Sequence, residues 1–400
     1  MSHLRKLATL VGVAFFFSLP SLAHSSYSRT HSYCGGPLEE AIWKLWDATI
    51  RDWVKGELIE RRLTSGDTYA LYDLQTHLHN TIWMAFRCGR WDRLHEIADI
   101  LLPVFSKLEP LEPSDPAASA WICRHGFFCT SKNYLINKEV PLVSSQGLGI
   151  LTTLAATLSQ SPNEVDRRHP FIQTTIYTSI SHLKRWQTSN LERLWISSVD
   201  IKPSSTRENN SNSQFRDHWL WMLVIQANLA VAYSYTDNDT FNEIDRNRIA
   251  RGHRLLIALF KARSISSEAD GPLNFDGGFW QNQLDNRFSG YESTVAPATC
   301  RLGKDTPDLY IDPSTYPPPK SIGWDISHSR RLVHVALTAE YSTEPIAYTY
   351  KIRHDEQLPF TLAQSLAQQI IEKIWNHNTQ FPLFTNYWSG DNGWYRVGYF

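Results

Sequence analysis

Apolar residues recur at three- and four-residue steps along most of the chain, a spacing that predicts helices rather than strands. Several of these predicted helices are apolar on nearly every side, and each follows a polar loop. They start near Asp73, Gly147, Asp217 and Asp325, and a weaker start of the same kind lies at Asp391. An amphipathic helix follows each of the first four. Because a helix without a polar face must be buried, the pattern predicts inner helices that alternate with outer ones.

The predicted helices account for most of the chain after residue 36. They span residues 37–63, 67–86, 91–105, 146–158, 170–186, 217–235, 241–262, 321–341 and 359–375. A long segment at about 263–321 contains Gly and Pro and shows little helical periodicity, so we interpret it as a loop insertion. The expected fold class is all-α.

This alternation of inner and outer helices resembles the (α/α) toroid of helical hairpins, of the six-hairpin type, found in many secreted glycoside hydrolases and polysaccharide lyases. The resemblance is architectural, covers most of the chain and includes no family motif. It implies a single domain over 25–400, with the polar loops of the inner helices at one mouth. An open helical array is the alternative, but its exposed concave surface would not suit helices that are apolar all round.

The first 24 residues have the features of a secretory signal peptide. Basic residues precede an apolar run from Leu7 to Leu19, and small residues surround the expected cleavage site near Ala23. The run is shorter than a membrane span, and we expect no later stretch to be long and uncharged enough to span. We therefore expect export to an extracellular or periplasmic location, with no membrane span and, at a net charge of -1, no nucleic-acid partner.

The chain contains five cysteines, and disulfides are expected in an oxidising compartment. Cys123 and Cys129 are close enough for a local bridge, Cys34 and Cys88 form a plausible second pair, and Cys300 is left over. No cysteine pair has the spacing of a thiolate metal site. Asp73 and His77 have i, i+4 metal-ligand spacing without an identifiable third ligand, so no metal and no cofactor is expected.

Two aspartates at the predicted mouth could hydrolyse a glycosidic bond. This reaction needs one protonated and one ionised carboxyl group. Asp325 precedes His328 and two arginines, which suits a base. Asp217 starts the most apolar helix, where desolvation suits an acid, and Glu292 and Asp276 in the insertion are rival acids. The predicted catalytic residues are Asp325, Asp217, Glu292 and His328. The predicted substrate-binding residues are Trp219, Trp280, Tyr291, Trp324, Arg331, Trp388, Asp391, Trp394 and Tyr395.

Each of these residues also has an ordinary structural interpretation. Asp217 and Asp325 stand where helix caps stand, and a tryptophan usually packs in a core. A polysaccharide lyase is the second hypothesis, with Tyr or His as base and acid and Arg or Asn beside the substrate carboxylate. The residues that could supply this set are His328, Arg330, Arg331, Asn386, Tyr395 and Arg396. A non-catalytic carbohydrate-binding or scaffold protein is the third. In every case the expected partner is a poly- or oligosaccharide, and the expected assembly is a monomer.

Overall fold

Helices make up most of the chain in a computed structural model that describes residues 33–112, 115–200, 216–236, 241–266, 271–275 and 324–390. The all-α prediction is confirmed for these residues. The α-helices are α1 (Pro37–Leu45), α2 (Tyr69–Arg87), α3 (Trp91–Leu101), α4 (Pro141–Leu158), α5 (Glu164–Arg167), α6 (Pro170–Trp186), α7 (Ser189–Asp200), α8 (Asp217–Tyr235), α9 (Glu243–Arg263), α10 (Ile326–Tyr350) and α11 (Leu362–Gln369). The predicted signal peptide, over residues 1–24, lies outside the described residues.

Shorter elements complete the described chain. Helical turns of the π type span Trp46–Ile50, Trp53–Leu63 and Ile370–Ile374, and 3₁₀ turns span Leu102–Lys107 and His354–Glu356. The strands are β1 (Glu109–Glu112), β2 (Asp115–Ala120), β3 (Ile122–Cys123), β4 (Lys138–Glu139), β5 (Ser264–Ser266) and β6 (Leu273–Phe275). They form three separate antiparallel pairs, β1–β2, β3–β4 and β5–β6. The last pair is the described part of the predicted insertion.

The predicted bounds of α6 and α8 match the observed helices, and those of other helices differ. Helix α10 was expected to end at Tyr341 but continues to Tyr350 through Pro345. Helix α4 starts at Pro141, five residues before its predicted start, because Pro fits the first helical turn, where its missing N–H costs nothing. Helix α7 was not predicted.

Four of these helices, α2, α4, α8 and α10, run parallel to one another. Side chains near the N-terminal end of one helix contact side chains near the N-terminal end of its neighbour, and the same holds for the C-terminal ends. In the first half of the helices, a Cβ on Gly147 would meet Leu71, one on Gly149 would meet Trp221, and Arg331 contacts Asp217. Further along, Asn228 donates a hydrogen bond to Thr153 and accepts one from Tyr341. The N-terminal ends of all four helices therefore lie at one end, called the mouth below.

Helix α10 also contacts α2, so the four parallel helices close on themselves. The Gln75 amide lies 3.1 Å from the His334 ring, and the His79 and His334 rings stack with their centres 3.7 Å apart. Further along, the Trp83 ring meets the Tyr341 ring edge-on. Helices α3 and α6 pack outside α4, α9 packs on α8, and α11 packs on α10.

Helices α4 and α8 form the most deeply buried part of the core. Every residue from Val143 to Leu158 in α4 is buried, as is every residue from Trp219 to Ala232 in α8. By length and hydropathy, α4 could cross a membrane, so the expectation that no stretch after the predicted signal peptide would pass this test is wrong. Since other helices surround it, burial in the core explains its apolar sequence.

The two expected cysteine pairs are confirmed as disulfides. Cys34 is bonded to Cys88, which ties the start of α1 to the end of α2. Cys123 is bonded to Cys129 beside the short β3–β4 pair. Cys300 lies outside the described residues.

Gly149 lets α4 and α8 approach closely, and we expect Gly149→Ala to destabilise the protein. A Cβ at this position would lie 2.5 Å from a ring carbon of the fully buried Trp221. Overpacking of this kind costs about 1–3 kcal/mol. The matched control is Gly56→Ala, because nothing lies within 4 Å of a Cβ at that helical position. Urea unfolding should show a loss only for Gly149→Ala, and equal midpoints for the two variants would contradict this packing.

Candidate functional site

Asp325 caps helix α10 at the mouth and is completely buried. One carboxylate oxygen accepts hydrogen bonds from the backbone N–H groups of Ser327 and His328, at 3.1 and 3.2 Å, and from the Ser327 hydroxyl at 2.5 Å. The other oxygen lies 2.5 Å from Nδ1 of the His328 ring. Asp325 therefore caps the helix, as its ordinary structural interpretation predicted, and also hydrogen-bonds to the His328 ring.

The His328 ring lies between two aspartates. Its Nδ1 faces the Asp325 carboxylate. Because a carboxylate accepts hydrogen bonds, a hydrogen on Nδ1 points to Asp325, and Nε2 is then the acceptor of the singly protonated ring. Nε2 lies 3.9 Å from a carboxylate oxygen of Asp217. About 30% of the side chain is exposed, so this ring can reach a bound molecule, whereas Asp325 cannot.

Asp217 is the first residue of α8, and an arginine holds its carboxylate. Arg331 Nη1 lies 3.4 Å from the oxygen that faces His328 and also donates to the backbone carbonyl of His328. The Arg331 side chain is almost completely buried, and Asp217 is partly exposed. A buried guanidinium is therefore paired with a partly exposed carboxylate. This environment suits a base or an ionic anchor better than the acid role that the sequence suggested for Asp217.

The position of this group follows from the direction of the helices. Asp217 and Asp325 stand at the N-terminal ends of two parallel helices, where the helix dipoles are positive and stabilise carboxylates. His328 lies about one turn beyond Asp325 on α10 and Arg331 nearly two turns beyond it, and the two side chains, three residues apart, are neighbours on the helix surface. Asp217, Asp325, His328 and Arg331, called the mouth cluster below, are therefore brought together by the packing of α8 against α10.

Polar side chains continue inward from the mouth cluster along the facing sides of the four parallel helices. The Gln75 amide nitrogen lies 3.3 Å from His79 Nδ1 and 3.1 Å from His334 Nε2, so one group can donate to both rings. Thr153 in turn lies 3.3 Å from His79 Nε2. Because buried polar groups are stable only when paired, this network favours one register of the four helices. The sequence interpretation missed it.

Burial holds several histidines of this region in the neutral form. Desolvation lowers the pKa of His334 to about 3 and that of His253 to about 3, and it lowers the pKa of His218, next to Asp217, to about 4. Burial also lowers the pKa of His79 well below its usual range. These rings serve as neutral hydrogen-bonding groups rather than as proton carriers at the mouth.

The three predicted tryptophans that the structure describes are core residues. Trp219, Trp324 and Trp388 are at most 5% exposed, and no ring face is open for a sugar to stack on. Trp219 packs edge-on against Trp195, and Trp388 donates from its indole nitrogen to the backbone carbonyl of Leu273. Their proposed role in substrate binding is therefore corrected to packing.

Other predicted residues lie elsewhere or outside the described residues. Asp73 and His77 have the i, i+4 spacing considered for a metal site, but each contacts a different residue. Asp73 pairs with Arg62, and His77 packs edge-on against Trp53. Arg330 lies over the Tyr72 ring, where burial lowers its pKa. Glu292, Trp280, Tyr291, Asp391, Trp394 and Tyr395 lie outside the described residues.

Comparison of the chain with family models, with curated proteins and with solved structures finds no match. Functional inference therefore depends on the mouth cluster and on the arrangement of the helices around it.

Proposed function

We propose that this protein is an enzyme that cleaves glycosidic bonds in a poly- or oligosaccharide by acid–base catalysis at the mouth cluster. The observation that carries the proposal is the His328 ring, held by the buried Asp325 and facing the partly exposed Asp217. A histidine oriented by a carboxylate, with its second nitrogen directed at an accessible site, is a common arrangement for a general acid or base.

The helical arrangement supports the choice of a saccharide as substrate. We propose that the four parallel helices and their outer return helices form an (α/α) toroid, which is a single domain over residues 25–400. In toroids of this kind the sites of secreted glycoside hydrolases and polysaccharide lyases lie at the mouth formed by the inner helices. This part of the proposal is an analogy at the level of architecture.

Export is part of the same proposal. The predicted signal peptide would direct the chain to an extracellular or periplasmic location, where polysaccharides are found. The two disulfides agree with an oxidising compartment.

For a hydrolase, we propose roles that differ from those inferred from the sequence. Asp325 is too deeply buried to touch a substrate, so we assign it to orienting His328. Asp217 or Nε2 of His328 would take a proton from water as the water oxygen attacks the anomeric carbon. The departing sugar oxygen needs a proton from a second group, for which Glu292 remains the candidate from the sequence.

Elimination at a uronic acid is the second candidate, because His328 rather than Asp325 is the accessible base. In that reaction Nε2 removes the proton next to the uronate carboxylate, and a carbon–carbon double bond forms as the bond to the leaving oxygen breaks. The leaving oxygen takes a proton from a general acid, for which Tyr395 is the candidate from the sequence. A cation must stabilise the charge that develops on the carboxylate. Arg330, Arg331 and Arg216 are cations near the cluster, but Arg331 is already paired with Asp217 and Arg216 lies over the Trp219 ring, so we place hydrolysis first.

A substrate panel tests the proposal and separates the two reactions. The purified protein is incubated with neutral and uronic polysaccharides, and both reducing ends and the absorbance of unsaturated products are followed. Reducing ends without that absorbance indicate hydrolysis, and a rise in both indicates elimination. If neither signal changes on any substrate, while a saccharide still binds in a direct binding assay, the protein is a carbohydrate-binding protein and the enzymatic proposal fails.

A further inference from the structure

A cluster of candidate metal ligands, separate from the mouth cluster, lies at the opposite end of the four parallel helices. His95 and Asp99 are one turn apart on α3, and His169 caps α6. Helix α4 ends at Leu158, and the chain reaches His169 directly afterwards through α5. Since the inner helices start at the mouth, their C-terminal ends and this cluster lie at the other end.

The spacing of the ligand atoms is close to that around a zinc ion. Nε2 of His169 lies 3.1 Å from one Asp99 oxygen, and Nε2 of His95 lies 3.8 Å from the other. One ligand atom from each residue can be chosen so that all three lie within 4.8 Å of one another. Ligands about 2.1 Å from a tetrahedral zinc ion are roughly 3.4 Å apart, so small movements would complete the geometry.

The neighbouring Asp166 orients His95 as a metal ligand. Its nearly buried carboxylate lies 2.7 Å from Nδ1 of His95 and accepts a second hydrogen bond, at 2.6 Å, from the Ser161 hydroxyl. With the hydrogen on Nδ1, the lone pair of Nε2 faces the Asp99 carboxylate. Two acceptors that face each other favour a cation between them, and a carboxylate behind a histidine is the usual support for a metal ligand.

We propose that His95, Asp99 and His169 form a zinc site, with water completing the coordination and Asp166 supporting His95. Imidazole and carboxylate ligands suit Zn²⁺. Nδ1 of His169 accepts a hydrogen bond from the Phe171 N–H at 3.2 Å, so its Nε2 hydrogen points to Asp99. To bind zinc through Nε2, the neutral ring must carry its hydrogen on Nδ1, so water takes the proton from Nε2 and supplies one to Nδ1. The ring changes tautomer with no net loss of a proton, and the hydrogen bond from the Phe171 N–H is lost. The ion would clamp α3 to the start of α6.

Metal titration distinguishes a zinc site from three side chains that are joined only by hydrogen bonds. After dialysis against EDTA, the full chain is titrated with Zn²⁺ by calorimetry, and Co²⁺ absorbance reports the ligand geometry. We expect one zinc ion per chain, loss of binding in His95→Gln, and at least tenfold weaker binding in Asp99→Asn. Asp166→Asn should weaken binding about 10- to 100-fold.

Two features keep this test decisive. Asp99 is 63% exposed, so Asp99→Asn should fold normally even if His95→Gln does not. The matched control is His354→Gln, which removes an exposed histidine that lies 3.6 Å from Glu344 and should bind zinc as the wild type does. Absence of binding in the wild type, or equal binding by the wild type and Asp99→Asn, would overturn the proposal. Because the readout is binding, the result does not depend on the reaction proposed at the mouth.

Discussion

Asp325→Asn should reduce turnover of a cleaved saccharide by roughly 10⁴-fold. Asparagine would present its N–H₂ group to Nδ1 of His328, so the ring hydrogen would move to Nε2 and the base facing the site would be lost. Helix stability should change little, because Asn caps a helix about as well as Asp. The measurement is kcat on the best substrate of the panel, together with the urea unfolding midpoint.

The matched control for Asp325→Asn is Asn242→Ala. Asn242 caps α9 by accepting a hydrogen bond from the backbone N–H of Asp245, and α9 lies outside the mouth cluster. Its replacement should cost about 1 kcal/mol of stability and leave kcat unchanged. If Asp325→Asn keeps its turnover, or if both variants lose turnover in proportion to stability, Asp325 acts only as a cap.

The protein should become much less stable as the pH falls from about 6.5 toward 3. His253 and His334 have a folded-state pKa of about 3, and His182 and His218 one of about 4, each because burial disfavours the charged ring. Between pH 6.5 and 3, about the unfolded- and folded-state pKa values of these rings, the unfolded chain binds protons that the folded chain does not. The stability is therefore fully present above the unfolded-state pKa and is lost as the pH falls below it. Each ring contributes on the order of a few kcal/mol.

The free energy of unfolding from urea titrations at several pH values measures this effect. His253→Gln should flatten its dependence on pH between about 6.5 and 3, because it removes one buried titrating ring. His354→Gln, at an exposed position, should leave the dependence as in the wild type. Identical curves for the wild type and His253→Gln would show that the buried ring does not cause the loss.

Local pattern predicted the helices well and their assembly only in part. The bounds of α6 and α8 could be predicted because apolar spacing, Pro170 and Asp217 are all local signals. Closure of the four parallel helices could not, since Gln75 and His334 are 259 residues apart and nothing local identifies them as partners. The same limit applies to the tryptophans, since a ring beside a polar loop residue can still turn into the core.

For the mouth cluster, the sequence interpretation indicated the residues better than their roles. Asp325 and His328 share a helix face, so their contact could be predicted, and Asp217 was linked to them only through the predicted toroid. The complete burial of Asp325 and the pairing of Asp217 with Arg331 depend on how α8 packs against α10. The three residues of the proposed zinc site went unnoticed because His169 is 70 residues from Asp99 along the chain.

The most direct measurement of the central claim is the initial rate at which wild type, His328→Gln and His354→Gln release reducing ends from the best substrate of the panel. Circular dichroism and urea midpoints first establish that all three are folded. We predict that His328→Gln is slower by about 10²–10⁴-fold and that His354→Gln matches the wild type. Equal rates for His328→Gln and the wild type would contradict the assignment of catalysis to the mouth cluster.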